Sequence, residues 1–222
     1  MKTLPRQIKH RPIGMVPVHI TTRLKGSIPR KELDKLLAKR ESLFASAEKE
    51  MESVPDEVFE AVASNKLQEV AEEFELLFDA SLHEKSNGPY HLKNPAIREI
   101  ILDSWHWITK HHGVYVYAIC VMSNHVHVLV GGVEDKPEVD PARMMKAQKG
   151  FTSRVCSEIL GTKGKAFWET GYYDRDVRDG TFTQVMWYIL NNPVSAGLVE
   201  HWADWPGTWL NPDFDDLFRN PG

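Results

Sequence analysis

The sequence predicts an α+β protein, an antiparallel or mixed sheet with helices packed on one face and an inserted helical hairpin. Three observations lead there. Two β-branched runs, VYVYAICVM at 114–122 and HVHVLVGG at 125–132, are separated only by Ser123 and Asn124, which suits an antiparallel hairpin. Strand-like and helix-like segments follow one another as strand, helix, strand, strand, helix, strand, helix. The chain of 222 residues, 42% hydrophobic and 26% charged, has the size and composition of a globular protein with one sizeable core.

Taken in order, GMVPVHITTR at 14–23 is short and β-branched and reads as a strand, ended by Gly26 and Pro29. From Lys31 to about Leu82 the apolar residues recur at helical spacing, with Leu33, Leu36, Leu37 and Phe44 in a first helix and Val58, Phe59 and Val62 in a second. Pro55 is expected to open the second helix in its first turn, with Ser53 as cap. Residues 31–85 read as a helical insertion within a single domain spanning 1–222. Asn87-Gly88-Pro89 is a turn. Residues 94–112 form an amphipathic helix with Ile97, Ile100, Ile101, Trp105 and Ile108 on one side, stopped by Gly113. After the hairpin and a polar loop, 142–160 is a helix with a basic side. A short strand is expected near Tyr173–Arg178, then a helix over 181–192 ended by Pro193. Residues 200–222 form an acidic tail.

The net charge of −4 hides an uneven distribution. Residues 1–30 carry +7, 31–85 carry −8, 86–199 carry +1 and 200–222 carry −4. A mildly basic body with an acidic insert and tail is compatible with a local anionic ligand. No apolar run approaches the ~20 residues that span a bilayer, and the basic start MKTLPRQIKHRPIG has no apolar segment behind it. Cys120 and Cys156 lack metal or redox spacing. The expectation is a cytoplasmic protein with reduced cysteines and no membrane partner.

Chemistry concentrates in MSNHVHVLV, 122–130. On a strand, His125 and His127 share a face and Val126 and Val128 take the other. Two imidazoles about 7 Å apart can converge on one metal ion, or can be two half-exposed sheet histidines. A histidine-triad hydrolase needs a third histidine where Leu129 stands. A two-histidine phosphoesterase needs two H-x-T or H-x-S strands, and only His19-Ile20-Thr21 qualifies. An open metal site with a distant ligand remains. On the last helix, Tyr188 and Asn192 are four residues apart and stack on one flank, a nucleophile and an oxygen ligand or simply a core aromatic and a helix-ending residue.

The run M-S-N-H-V-H-V-L-V, followed by F-W-E-T-G-Y-Y-D-R-D-V-R-D and Y-I-L-N-N-P-V-S-A-G-L-V, resembles the REP-associated tyrosine transposases. These are single-tyrosine members of the HUH endonuclease superfamily. V-H-I-T-T-R resembles their first strand, and D-W-P in the tail their ending. The resemblance covers about residues 14–26 and 94–209. It implies an RRM-like (ferredoxin-like) antiparallel sheet. It implies His125 and His127 as metal ligands, Tyr188 as nucleophile and Asn192 as third ligand, where related insertion-sequence transposases often have Gln. The reaction implied is cleavage and rejoining of single-stranded or hairpin DNA through a 5′-phosphotyrosine, with Mg²⁺ or Mn²⁺, by a monomer or homodimer at the nucleoid. Candidate phosphate contacts are Arg11 in the basic arm with Lys2, Arg6 and Lys9, then Arg143, Lys146, Lys149 and Arg154 on the 142–160 helix, and Lys163 and Lys165 beyond it. Trp168, Tyr172 and Tyr173 are candidates for base stacking. A non-cleaving DNA-binding relative and a metal-dependent phosphoesterase of small nucleotides are the alternatives.

Overall fold

The structure, a computed structural model, describes residues 4, 10–84 and 88–219. Lys2, Arg6 and Lys9 of the basic arm, and Asn87 of the expected turn, lie outside the described residues. The chain divides into two compact units, one of Met1–Lys9 with Ile28–Gly88, the other of His10–Ser27 with Pro89–Gly222.

The first unit is a helical hairpin, α1 at Arg30–Met51 and α2 at Phe59–His83. Phe44, Ala47 and Met51 of α1 are buried in one cluster with Phe59, Ala63 and Val70 of α2. Lys66 spans the hairpin, pairing with Glu50 at 2.6 Å and with Glu69 at 2.8 Å. α2 starts at Phe59 with Val58 as cap, a turn later than Pro55 suggested. Residues 56–58 instead form a turn, with the Val58 N–H bonded to the Pro55 carbonyl.

The second unit is built on a five-stranded antiparallel sheet. Its strands are β1 at Val18–Arg23, β2 at Val114–Val121, β3 at His125–Gly132, β4 at Tyr173–Asp176 and β5 at Thr208–Leu210, in the order β4-β1-β3-β2-β5. The expected α+β class and antiparallel sheet are as observed. β2 and β3 form the hairpin, closed by a bond from the Met122 N–H to the His125 carbonyl. β3 then pairs with β1, placing Thr21 opposite His127 and Arg23 opposite His125. β5, from the tail, was not expected. It pairs with β2, and the Trp205 indole and the Asn211 amide donate to the Val121 and Val116 carbonyls, both at 2.9 Å.

Strand alternation gives the sheet two different faces. Val18, Ile20, Val126, Val128 and Val130 point to one, where α3 at Pro95–His112 and α4 at Pro141–Ile159 cover them with Ile97, Ile101, Trp105, Met144, Met145 and Cys156. α3 begins where Asn94 Oδ1 accepts the Ala96 N–H at 3.0 Å and ends at Gly113, φ 67°. α4 begins in the same way on Asp140. Leu129, Ala118 and Cys120 point to the other face, under Val185, Met186 and Ile189 of α5 at Phe182–Leu190. Trp202, Leu210 and Phe218, the last from α7 at Asp215–Phe218, extend that second core. Between them lies α6 at Asn192–Ser195. Both cysteines are buried and outside any disulfide, and burial pushes the Cys156 thiol up to about 11. No helix among the described residues is long and apolar enough to cross a membrane.

Candidate active site

Alternation along β1 and β3 puts His19, Thr21, Arg23, His125 and His127 on the face that α5 covers. The histidines are fully buried there. The His125 and His127 rings stand at 90° with centroids 4.8 Å apart. Each is held from its Nδ1 side. His125 Nδ1 lies 2.7 Å from Asn124 Oδ1. His127 Nδ1 lies 3.1 Å from Thr21 Oγ1 and 3.1 Å from His19 Nε2. A ring that donates from Nδ1 carries its lone pair on Nε2, the tautomer that coordinates a metal. Two imidazoles fixed in this way from behind are a donor set suited to a divalent ion.

Tyr188 comes from the covering helix. Its apolar neighbours Val185, Met186 and Ile189 anchor α5 on the sheet, and the half-buried phenol ring is directed at the histidines. It meets His127 edge-on at 5.9 Å between centroids and His19 edge-on at 5.8 Å. Asn192 is buried, one turn beyond Tyr188. α5 ends and α6 begins at Asn191 (φ −82°, ψ 1°), whose N–H bonds the Trp187 carbonyl at 2.9 Å.

His19 is the residue that sequence reasoning did not assign to this site. It is 108 positions from the ring it touches. The signal was present in His19-Ile20-Thr21, a period-two polar pair on a strand, but nothing local says which strand lies beside it.

A charged corner adjoins His125. The Glu169 carboxylate receives Lys25 Nζ at 2.8 Å and lies 3.4 Å from the Arg23 guanidinium. Burial pushes Glu169 up, but hydrogen bonds from Lys25 and from the Thr170 N–H, with the Arg23 charge, outweigh it and hold the group below its ordinary value. Burial lowers Arg23, against the pull of Glu169.

The expected phosphate contacts are spread out. Arg11 is exposed beside Asp176, 3.5 Å away. Arg143, Lys146 and Arg154 are exposed on α4, which lies across the sheet from Tyr188. Lys163 and Lys165 are exposed in the turn after α4, Lys163 at 3.3 Å from Glu158. Lys149 is turned inward. It donates to the carbonyls of Glu169, at 2.7 Å, and of Gly171, and burial lowers its pKa. Trp168 is buried with its indole on Thr152 Oγ1, while Tyr172 and Tyr173 are half-buried.

Residues 89–192, from just before α3 to Asn192, match the family model of IS200-like transposases. Among solved structures, that of a REP-associated tyrosine transposase bound to a REP hairpin aligns with 14% identity and a TM-score of 0.47. It covers 91% of this chain and 81% of its own. A protein of Deinococcus radiodurans R1 described as a transposase aligns with 18% identity and a TM-score of 0.35, over 84% of this chain and 98% of its own. No curated protein gives a significant match.

Proposed function

We propose that this chain, whose residues 89–192 match the family model of IS200-like transposases, cleaves and rejoins single-stranded or hairpin DNA with Tyr188 as the nucleophile. The observation that carries this reading is the convergence of Tyr188 from α5 and the paired histidines from β3 on one sheet face.

The phenol oxygen of Tyr188 attacks the scissile phosphorus. The bond from phosphorus to the 3′ oxygen breaks, that oxygen leaves as a 3′-OH, and a 5′-phosphotyrosine forms. The ester keeps the bond energy, so a later 3′-OH reverses the step and rejoins a strand. An enzyme that only degraded DNA would use water instead. His125 and His127, with Asn192, would hold a divalent ion, Mg²⁺ or Mn²⁺. Bound there, the ion neutralises charge developing on the non-bridging phosphate oxygens. Two nitrogens and one amide oxygen suit Mn²⁺ at least as well as Mg²⁺. Asn124, Thr21 and His19 hold the imidazoles in orientation, so the ring positions are set before substrate arrives. The α5 core fixes the phenol over them. Arg143, Lys146 and Arg154 of α4, with Lys163 and Lys165, contact DNA phosphates away from the cut. Such contacts position the strand and read no sequence.

The test is incubation with end-labelled single-stranded hairpin DNA and Mn²⁺, followed by denaturing electrophoresis. A covalent protein–DNA adduct, lost in Tyr188→Phe, is the expected result. Metal-dependent turnover that persists in Tyr188→Phe overturns the tyrosine mechanism. Binding without any adduct makes the chain a non-cleaving DNA-binding member of the family.

A further inference from the structure

The register carries the histidine face one strand further than the site itself. On β4, Tyr173 lies opposite Thr21 and Arg175 opposite His19, so both belong to the face that holds His127 and Tyr188. Asp174 lies opposite Ile20 and Asp176 opposite Val18, on the face that α3 and α4 cover. The segment YDRD therefore sorts its charges by side. Its two carboxylates are engaged on the far face, Asp174 by His10 Nδ1 at 2.6 Å and Asp176 by Arg11 at 3.5 Å. Its aromatic ring and its guanidinium stem rise from the near face. At the other end of the same face Arg23 stands opposite His125, and the Glu169 carboxylate there is shared between Arg23 and Lys25.

From these placements we infer that the β4 edge of the histidine face is the track along which a DNA strand reaches Tyr188. Arg175 and Arg23 take two different phosphates on it, and Tyr173 between them stacks a base. The levels of Arg175 and Arg23 are four β1 residues apart, about 13 Å along the strand at ~3.3 Å per residue, too far for both to bind one phosphate. The chemistry recognised is a polyanion with flat rings between its charges, which is a single strand with unstacked bases. β4 is the end strand of the sheet, so a chain laid over it meets the imidazoles from the side without displacing β2 or β5. This inference rests on the strand-cleavage reading of the same site. It adds Arg23, Tyr173 and Arg175 as the residues that align the strand.

The experiment is the salt dependence of binding. The full chain is titrated, in EDTA so that nothing is cut, into a fluorescently labelled hairpin oligonucleotide with a single-stranded flank, at a series of salt concentrations. Each phosphate contact with a single strand contributes about 0.7 to the slope of log K against log salt. Arg175→Gln and Arg23→Gln should each flatten the slope by about that amount. Arg23→Lys should keep the slope, which separates loss of charge from disturbance of the Glu169 corner. Tyr173→Ala should weaken binding about tenfold with the slope unchanged. Lys110→Gln, on the exposed end of α3, is the control that changes neither. If the unaltered chain forms the Tyr188 adduct while both Arg→Gln variants keep its slope, the track is wrong and the cleavage reading survives. If the unaltered chain neither binds the strand nor forms an adduct, both fall.

Discussion

At the scale of single residues, the site is a set of side chains that fix one another. Thr21 shows how much rests on a small group. Its hydroxyl lies 3.1 Å from His127 Nδ1, on the side of the ring away from the proposed ligand nitrogen. Thr21→Val removes that contact and keeps the strand shape and branching. Loss of such an outer partner typically costs ~10–100-fold in metal affinity. Calorimetric titration with Mn²⁺ should show binding weaker by about tenfold, with the thermal midpoint little changed. Unaltered Mn²⁺ affinity would mean that Thr21 does not orient the ring. The histidine pair and Tyr188 were legible in the sequence because each sits in a local period, two residues on a strand and 3.6 on a helix. His19 was not legible in this role, because its partner ring belongs to a strand more than a hundred positions away. Only the register of β1 against β3 assigns it.

At the scale of elements, α3, the hairpin and α4 follow the sequence closely, since each carries its own start and stop. α3 has Asn94 and Pro95 before it and Gly113 after it. Asn94→Ala would remove the acceptor of the Ala96 N–H, at a cost of about 1 kcal/mol. Urea denaturation should show a lower midpoint at constant slope, and an unchanged midpoint would remove the cap from the account of α3. Elsewhere the local signal misled or was missing. α2 starts after Pro55 because the following residues close a turn before the helix begins. β5 has three residues, Thr208–Leu210, too few for any periodicity to register. Its strand character comes from the open edge of β2, which is a property of the sheet and not of the segment. The basic side of α4 was also legible as a stripe. What the stripe could not say is which layer of the sheet it would cover.

At the scale of the whole molecule, the second unit holds its sheet between two cores of different origin. α3 and α4 cover one face in mid-chain, and residues from Val177 to Phe218 cover the other. Trp202, Leu210 and Phe218 pack with α5 rather than forming a loose tail. A chain ending at residue 199 should lose several kcal/mol of stability, since each large buried side chain contributes about 1.5–3 kcal/mol. It should also lose adduct formation although every proposed catalytic residue is present. Urea titration beside the adduct assay checks both, and a truncated chain as stable as the full one would show that the tail does not brace α5. The sheet order has a temporal consequence. The histidine strand sits between β1 and β2, both made before it, whereas the tyrosine helix follows roughly sixty residues later. At about 5–20 residues per second, a ribosome finishes the strand of the proposed ligands several seconds before it delivers the proposed nucleophile. During that interval the nascent chain, still tethered to its messenger, holds the imidazoles without the proposed nucleophile. β5, the last strand of the sheet in chain order, then closes the β2 edge, so the sheet is completed only after the proposed nucleophile has been added.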